Sequence, residues 1–198
     1  MDKVRLFYAV KLATMKKVFK TKKGDIPLPV FFPDATRAVL KTLDSEDIKN
    51  TKTPGVLVNT YHLWQELGEG VLDKFEGVGR FMNWKGGVIS DSGGFQVMSL
   101  IKDKASLLRQ GYEGRRGKIT DEGIVIWPSK NKRVVFSPEM SISYQMKLRP
   151  DMVVVLDDFT MPDSGHKEAE ETVKRTIMWA KRCKEEFERQ CKRLKLTG

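Results

Sequence analysis

The segment from Ser90 to Gln96 carries a carboxylate, a hydroxyl, two glycines and an aromatic ring within a few residues. It follows a short apolar run, so Asp91 and Ser92 are predicted to lie where a β-strand ends. The glycines Gly93 and Gly94 would let the backbone approach a ligand without obstruction from a Cβ atom. This pattern predicts a binding pocket with an acid beside it. A purely structural interpretation stays open, in which Asp91 caps a turn and the glycines only allow a bend.

A second candidate feature is a pair of acids, Asp157 and Asp158, which follow the apolar run Met152–Leu156 and are predicted to lie in the loop after it. One of the two carboxylates is expected to point inward. An ionised carboxylate accepts two hydrogen bonds side by side, which complements the ring N–H and exocyclic amine of a guanine edge. The strand-end position favours a binding role for Asp157. For Asp163 and Ser164, capping of the last helix is the simpler interpretation.

A third polar cluster, Asn59–Leu63, follows the apolar run Gly55–Asn59 and would line a pocket wall. His62 within it is interpreted as structural, because no nucleophile or metal partner accompanies it. The two histidines and two cysteines of the chain lack the spacing of zinc ligands, so no metal site is predicted. Cys183 and Cys191 are eight residues apart in a helical segment and are expected neither to bridge nor to act as nucleophiles.

The apolar runs that precede these clusters alternate with helical segments, which is typical of parallel βα units with sites at the strand carboxyl ends. About four such units begin near Pro29, Gly55, Gly87 and Met152. Four units make half of an eight-stranded barrel. An open doubly wound sheet is the alternative at this length, but no Gly-x-Gly-x-x-Gly follows a strand to support nucleotide binding.

Local patterns predict the elements around these units. Two β-type runs, Val4–Leu12 and Lys16–Lys20, a turn at Gly24-Asp25 and a strand over Ile26–Phe32 predict an N-terminal β-hairpin. A β excursion is expected within residues 101–133.

Helices are predicted after Asp34-Ala35-Thr36, over Tyr61–Lys74, from Ser137-Pro138 onward, and over about Lys167–Leu194. The last of these is expected to pack through one apolar face. That face comprises Val173, Ile177, Ala180, Cys183, Phe187, Cys191 and Leu194.

The chain of 198 residues has a formal net charge of +10, and the surplus lies in three stretches, 1–24, 102–118 and 181–195. Such clusters suit a polyanionic partner, because each neutralised phosphate releases counterions, although simple solubility is the alternative. With 40% hydrophobic residues the chain can bury one sizeable core. No apolar run is long enough for a transmembrane helix and no secretory signal is evident, so a cytoplasmic location without membrane association is expected.

The motifs together resemble the N-terminal half of the tRNA-guanine transglycosylases, also called queuine tRNA-ribosyltransferases. The resemblance runs from about Phe31 to Arg189. It rests on the strings Val58–Leu63, Ser90–Leu100, Phe136–Glu139 and Asp151–Pro162, in order and approximate spacing. It implies an α/β fold of the TIM-type barrel, here about its first four βα units. It also implies an enzyme that exchanges guanine in tRNA, usually at the anticodon wobble position, for a deazaguanine base.

The resemblance also implies residue roles. Asp91 matches the acid that handles the proton on the leaving and entering bases. Asp157 matches the carboxylate that reads the base edge, and Phe95 the aromatic platform stacked on that base. The remaining matches to pocket positions are Asn59, Ser92, Gly93, Gly94 and Gln96.

The chain also departs from the family pattern. The family's nucleophilic aspartate, its zinc site of three Cys and one His, and further RNA contacts belong to a later half that has no counterpart here, so no cofactor is expected in this chain. Phe159 stands where the family usually has Cys, and Pro33–Thr36 differs from the usual start of the first barrel helix.

We therefore expect residues 1–198 to form a single domain, as a fragment or one of two split chains. Its expected partners are tRNA, guanine or a deazaguanine, and a complementary half or a second copy. The alternative is a non-catalytic tRNA-binding or assembly module that keeps the family fold. An unrelated barrel enzyme acting on a small metabolite is disfavoured by the motif order.

Overall fold

A parallel sheet lies at the centre of the fold. The computed structural model describes residues 18–21, 23–102, 117–129, 132–160 and 164–196. The sheet has the order β3–β4–β8, where β3 is Gly55–Asn59, β4 is Gly87–Asp91 and β8 is Met152–Val153. On the other side of β3, a segment around Asp34 forms a parallel bridge to Leu57. The predicted parallel arrangement is confirmed, but the described residues form no closed barrel.

The register of the sheet brings two of the polar clusters together. Residues Gly55 and Gly87 are partners at the start of β3 and β4, and Asn59 and Asp91 are partners at their ends. Because the strands are parallel, both polar ends lie at the same edge of the sheet. The chain positions β4 further through Asp151, whose Oδ2 accepts a hydrogen bond of 2.9 Å from the backbone N–H of Val88.

Two antiparallel units flank the central sheet. Strands β1 (Val18–Thr21) and β2 (Gly24–Pro27) form the predicted hairpin, with Val18 paired to Pro27. Strand β2 is shorter than the predicted Ile26–Phe32 run and begins earlier, so Gly24 and Asp25 lie in the strand and the prediction of a turn at these two residues was wrong. The predicted excursion is a three-stranded sheet of β5 (Gly117–Thr120), β6 (Gly123–Ser129) and β7 (Lys132–Phe136). The predicted strand Val4–Leu12, residues 16 and 17, and much of the basic stretch 102–118 lie outside the described residues.

Six helices complete the described part of the chain. They are α1 (Ser45–Asn50), α2 (Thr60–Lys74), α3 (Val78–Phe81), α4 (Gly94–Lys102), α5 (Pro138–Leu148) and α6 (His166–Arg193). Side-chain caps begin several of them, because the first N–H groups of a helix lack intrahelical partners. Asn59 caps α2, and Ser137 caps α5 with Pro138 at its first position, as the sequence predicted for α5.

The helix predicted after Asp34-Ala35-Thr36 is absent. Ala38 and Thr42 have positive φ values of 59° and 66°, which interrupt a right-handed helix. The helix begins later, at Ser45, where Asp44 and Asp47 form a capping box. The prediction for this stretch was therefore wrong in position.

The apolar face predicted for α6 is only partly the face that packs. Cys183 is fully buried, but Val173 and Ile177 are more than half exposed, and Phe187 and Leu194 are also exposed. The helix turns Trp179, Cys183 and the polar residues Thr172, Glu186 and Gln190 inward instead. Glu186 and Gln190 tolerate burial because they are paired: Gln190 Nε2 donates to Glu186 Oε1 at 2.6 Å.

Two apolar clusters form the core on the helical side of the sheet. One surrounds Val56, Val58 and Val88 with side chains of α2 and α5, among them Leu63, Leu72, Tyr144 and Leu148. The other joins α4, the β5–β7 sheet and α6 through residues such as Met98, Phe136, Leu156 and Trp179. None of the helices in the described ranges combines the length and apolarity needed to cross a membrane.

Candidate base-binding site at the strand tips

Asp91 lies at the tip of β4 and is held from two sides. Asn59 Nδ2, at the tip of β3, donates a hydrogen bond of 2.7 Å to Asp91 Oδ2. The backbone N–H of Gly93 donates to Asp91 Oδ1 at 2.9 Å. Asp91 therefore does form the turn that the structural interpretation expected. It is also partly exposed, so its carboxylate is accessible at the edge of the sheet.

Asn59 is oriented by the helix that follows it. Its Oδ1 accepts a hydrogen bond of 3.1 Å from the backbone N–H of His62, which leaves the amide nitrogen to face Asp91. Asn59 is buried, and His62 is partly buried with its ring edge-on to Tyr61 at 5.9 Å between centroids. This arrangement gives Asn59 a role as a donor to Asp91 and supports the structural interpretation of His62.

Asp157 and Asp158 point in different directions. Asp158 is buried, and its Oδ2 accepts a hydrogen bond of 2.5 Å from Arg175 Nη1 of α6. Thr176 holds the Asp158 backbone, because its hydroxyl accepts from the N–H at 3.0 Å and donates to the C=O at 3.1 Å. Asp157, in the segment after β8, is exposed to solvent. The acid available to a ligand is therefore Asp157.

The pKa of Asp157 is raised by burial and by nearby acids, including Asp91. Surrounding protein atoms desolvate the Asp157 carboxyl and raise its pKa above the ordinary value of 3.8. The negative charges of Asp91 and Asp158 raise that pKa further, while hydrogen bonds from its own backbone and from the Ser92 hydroxyl oppose the shift. Asp91 and Ser92 therefore both lie close enough to Asp157 to affect its pKa.

The two glycines allow close packing between protein segments. Gly93 has a φ of 80°, and a Cβ atom there would lie 2.7 Å from the Tyr61 Cβ and backbone N. A Cβ at Gly94 would lie 2.8 Å from Leu156 Cδ1 and 3.1 Å from the Asp157 carbonyl oxygen. Both glycines are buried, so they bring α2 and the Asp157 segment against the tip of β4.

Phe95 and Gln96 border this group from the first turn of α4. Phe95 is 58% exposed, and its ring lies 4.9 Å from that of Phe159 at an interplanar angle of 34°. Gln96 Oε1 is buried and has no hydrogen-bond partner among the described residues. The exposed aromatic face of Phe95 is a feature on which a planar ligand can stack.

Several residues that shape the site were missed by the sequence patterns. Ser141, Gln145 and Thr176 are polar residues of α5 and α6 that hydrogen-bond the backbone at or just after the strand ends. The only signal for Gln145 was a polar residue interrupting the apolar positions Ile142 and Met146.

The thiol and metal predictions concern other parts of the chain. Burial raises the pKa of the Cys183 thiol to about 11, which keeps the thiol protonated at neutral pH. In the ranges that the structure covers, no three His, Cys, Asp or Glu side chains are grouped so that they could hold a metal ion.

Comparison with known proteins places the sequence in a family. The sequence model of the queuine tRNA-ribosyltransferase family matches residues 16–198. The chain belongs to this family. It is similar to the queuine tRNA-ribosyltransferase of Halothermothrix orenii, with 34% identity over 176 residues that make up 86% of this chain and 43% of that protein. The Psychrobacter and Staphylococcus aureus proteins of the same name are 35% and 34% identical, over 84% and 87% of this chain.

The chain spans less than half the length of these queuine tRNA-ribosyltransferases, since it covers 40% of the Psychrobacter protein and 42% of the Staphylococcus aureus protein. Its strand-tip group therefore corresponds to part of the relatives' full structure.

Proposed function

We propose that this chain is the base-recognising part of a tRNA-guanine transglycosylase, which exchanges guanine in tRNA for a queuine-type deazaguanine at the anticodon wobble position. The observation that carries the proposal is that Asp91, at the tip of β4, and Asp157, in the segment after the neighbouring strand β8, lie close enough for the charge of Asp91 to raise the pKa of Asp157. Two acids in different environments suit two roles in glycosyl transfer, one for binding and one for proton handling.

Asp157 is the proposed reader of the base edge. As a carboxylate it accepts hydrogen bonds from the ring N–H and the exocyclic amine of guanine. Its raised pKa shows that the charged form lacks full stabilisation in the free protein, and two ligand N–H donors would supply it. Phe95 is the proposed stacking platform, since its exposed ring is braced by Phe159.

Asp91 is the proposed proton-handling acid. Asn59 and Gly93 fix its carboxylate in one orientation, and its partial exposure lets a bound base reach it. In its protonated form a positioned carboxyl group can pass its proton to the departing guanine, and the carboxylate that results can take a proton from the incoming base. The resemblance assigns the nucleophilic carboxylate to the part of the relatives that this chain does not cover. We therefore propose that exchange requires a complementary half.

The proposed macromolecular partner is tRNA. A single-stranded anticodon loop exposes its bases at low cost, so a base can enter a pocket at the strand tips. The net charge of +10 favours phosphate contacts, whose contribution to affinity falls as salt rises.

Guanine binding to the isolated chain tests the role of Asp157. Asp157→Asn is expected to weaken binding about 10- to 100-fold by calorimetry, because the amide NH2 would face the donors of guanine. Asp25→Asn, which neutralises an exposed carboxylate in β2, is the matched control and is expected to bind as the wild type does. Equal affinity of the wild type and Asp157→Asn would remove Asp157 from base recognition.

Binding is also expected to depend on pH in a defined direction. The ionised form of Asp157 binds guanine, so affinity is lost as pH falls through the Asp157 pKa, at a midpoint above 3.8. Calorimetry between pH 3.5 and about 7 measures this midpoint. Binding that strengthens on acidification would contradict the assigned role.

An exchange assay tests the need for a second half. The isolated chain, incubated with tRNA and radiolabelled guanine, is expected to incorporate no label above background. Incorporation by the chain alone would overturn the proposed division of roles. Salt-sensitive tRNA binding without turnover, even with a complementary half supplied, would instead favour the non-catalytic binding module.

A further inference from the structure

The segment that carries Asp157 is held without a regular strand ladder. Strand β8 ends at Val153, and the last bond to β4 is donated by the backbone N–H of Val154 to the Ser90 carbonyl oxygen at 3.1 Å. Two residues, Val155 and Leu156, separate this last pairing from Asp157. The position of that carboxylate therefore depends on what holds Val154 and the residues after it.

The side-chain amide of Gln145, on α5, binds both backbone polar groups of Val154. Gln145 Nε2 donates to the Val154 carbonyl oxygen at 2.9 Å, and the Val154 N–H donates to Gln145 Oε1 at 3.1 Å. The Val154 N–H is thereby shared between Gln145 Oε1 and the Ser90 carbonyl oxygen, whereas the Val154 carbonyl oxygen is bonded by Gln145. Gln145 is fully buried, so water does not compete for these bonds.

The same amide is also tied to both residues that flank Asp91. The Ser90 hydroxyl donates to Gln145 Oε1 at 2.6 Å. Gln145 Nε2 donates to the Ser141 hydroxyl at 3.1 Å, and that hydroxyl donates to the Ser92 carbonyl oxygen at 3.0 Å. Both donors and both acceptor sites of the amide are thereby used.

We propose that Gln145 is a positioning residue that sets the placement of Asp157 relative to Asp91 by clamping Val154 to the end of β4. The clamp acts on the strand segments and touches neither carboxylate. The clamp itself is argued from the hydrogen bonds of Gln145 alone. Its effect on guanine binding rests on the proposed function.

An apolar residue of the same size cannot replace this amide without moving the segment. Methionine would fill the space but leave the Val154 carbonyl oxygen and the Ser90 hydroxyl without their partner. Buried polar groups without partners are costly, so the segment after Val153 would shift until water or another group satisfied them. Asp157 would move with that segment, away from Asp91 and further into solvent.

The pH titration of Asp157, followed by carboxyl NMR and assigned with Asp157→Asn, tests the clamp in ligand-free protein. In Gln145→Met the midpoint is expected to fall toward 3.8, because Asp157 loses desolvation and the repulsion of Asp91; Asp158 stays paired with Arg175. Leu148→Ala is the control, because it removes a buried side chain from the same helix and lowers stability without touching the clamp. It is expected to leave the Asp157 midpoint unchanged.

Guanine affinity is the second readout, and Gln145→Met is expected to weaken it about tenfold or more. An unchanged Asp157 midpoint in folded Gln145→Met would overturn the proposal and leave Gln145 with a stabilising role only. Should that variant not fold, Ser90→Ala decides instead. It removes one bond of the clamp and is expected to lower the midpoint by a smaller amount, and an unchanged midpoint would again overturn the proposal. If the wild type binds no guanine, the proposed function fails while the titration still decides the role of Gln145.

Discussion

Asp157 and Asp158 are sequence neighbours in opposite environments. Asp158 is buried against Arg175, where its charge has a partner, whereas Asp157 faces the open side with the like charge of Asp91 nearby. A paired buried carboxylate stabilises the fold relative to its neutral variant, and an unpaired one beside another acid does the reverse. At the scale of single residues, one acid supports the structure and the other is left free for a ligand.

Isosteric amides at the two positions are therefore expected to change stability in opposite directions. Asp158→Asn leaves Arg175 without its buried partner and should lower the free energy of unfolding by about 3 kcal/mol. Asp157→Asn should raise it slightly at pH 7. The gain should vanish as pH falls through the Asp157 pKa, because the folded state then holds that carboxyl neutral as well. Urea denaturation at several pH values measures both, and a loss of stability in Asp157→Asn at neutral pH would contradict the assignment.

At the scale of elements, the site depends on how closely the strand tips and helix starts approach each other. The turn between β4 and α4 packs against the first turn of α2, and Gly93 makes this approach possible. Both its positive φ and the nearness of Tyr61 exclude a side chain there. The Asp-Ser-Gly-Gly string is thus a packing requirement as well as a source of polar groups.

Alanine substitutions at Gly93 and Gly70 are expected to change stability in opposite directions, because Gly93 is closely packed and Gly70 is not. Gly93→Ala should destabilise the protein by roughly 2 kcal/mol or more, because it adds backbone strain and a Cβ atom 2.7 Å from Tyr61. Gly70→Ala, within α2 and with open space around its Cβ position, should stabilise it by about 0.5–1 kcal/mol. Thermal unfolding of the two variants makes the comparison, and equal effects would show that Gly93 is not constrained as described.

At the scale of the whole molecule, the side of the fold that includes β8 presents apolar residues to solvent. Met152, Val154 and Val155 are each more than a third exposed. Among the described residues, no further strand pairs with β8. An unpaired strand edge beside exposed apolar side chains favours association with another chain.

The isolated chain is therefore expected to self-associate in a concentration-dependent manner in sedimentation velocity. Lysine at both Met152 and Val154 should shift the distribution toward monomer, because it places charge on the apolar surface beside β8. Val39→Lys, at an exposed apolar residue in the loop beyond the opposite edge of the sheet, is the control and should change little. A stable monomer at all concentrations in the wild type would contradict this expectation.

The sequence by itself determined where the strands and most helices lie, because short apolar runs, caps and turn residues act locally. The run Gly55–Asn59, the Ser137 cap and the β excursion were all predicted at or near their observed positions. The placement of Asn59 and Asp91 at one edge also followed from the strand pattern, since parallel strands end together.

Only the tertiary structure decided which acid points outward, which face of α6 packs, and what holds the segment after β8. Each depends on partners far along the chain, such as Arg175 for Asp158 and Gln145 for Val154. The periodicity of apolar residues does not reveal such contacts, because a buried polar side chain is stabilised by a specific hydrogen bond rather than by its own hydrophobicity. The strand tips were therefore predictable from local pattern, whereas the placement of Asp157 required the long-range polar contacts of the folded chain.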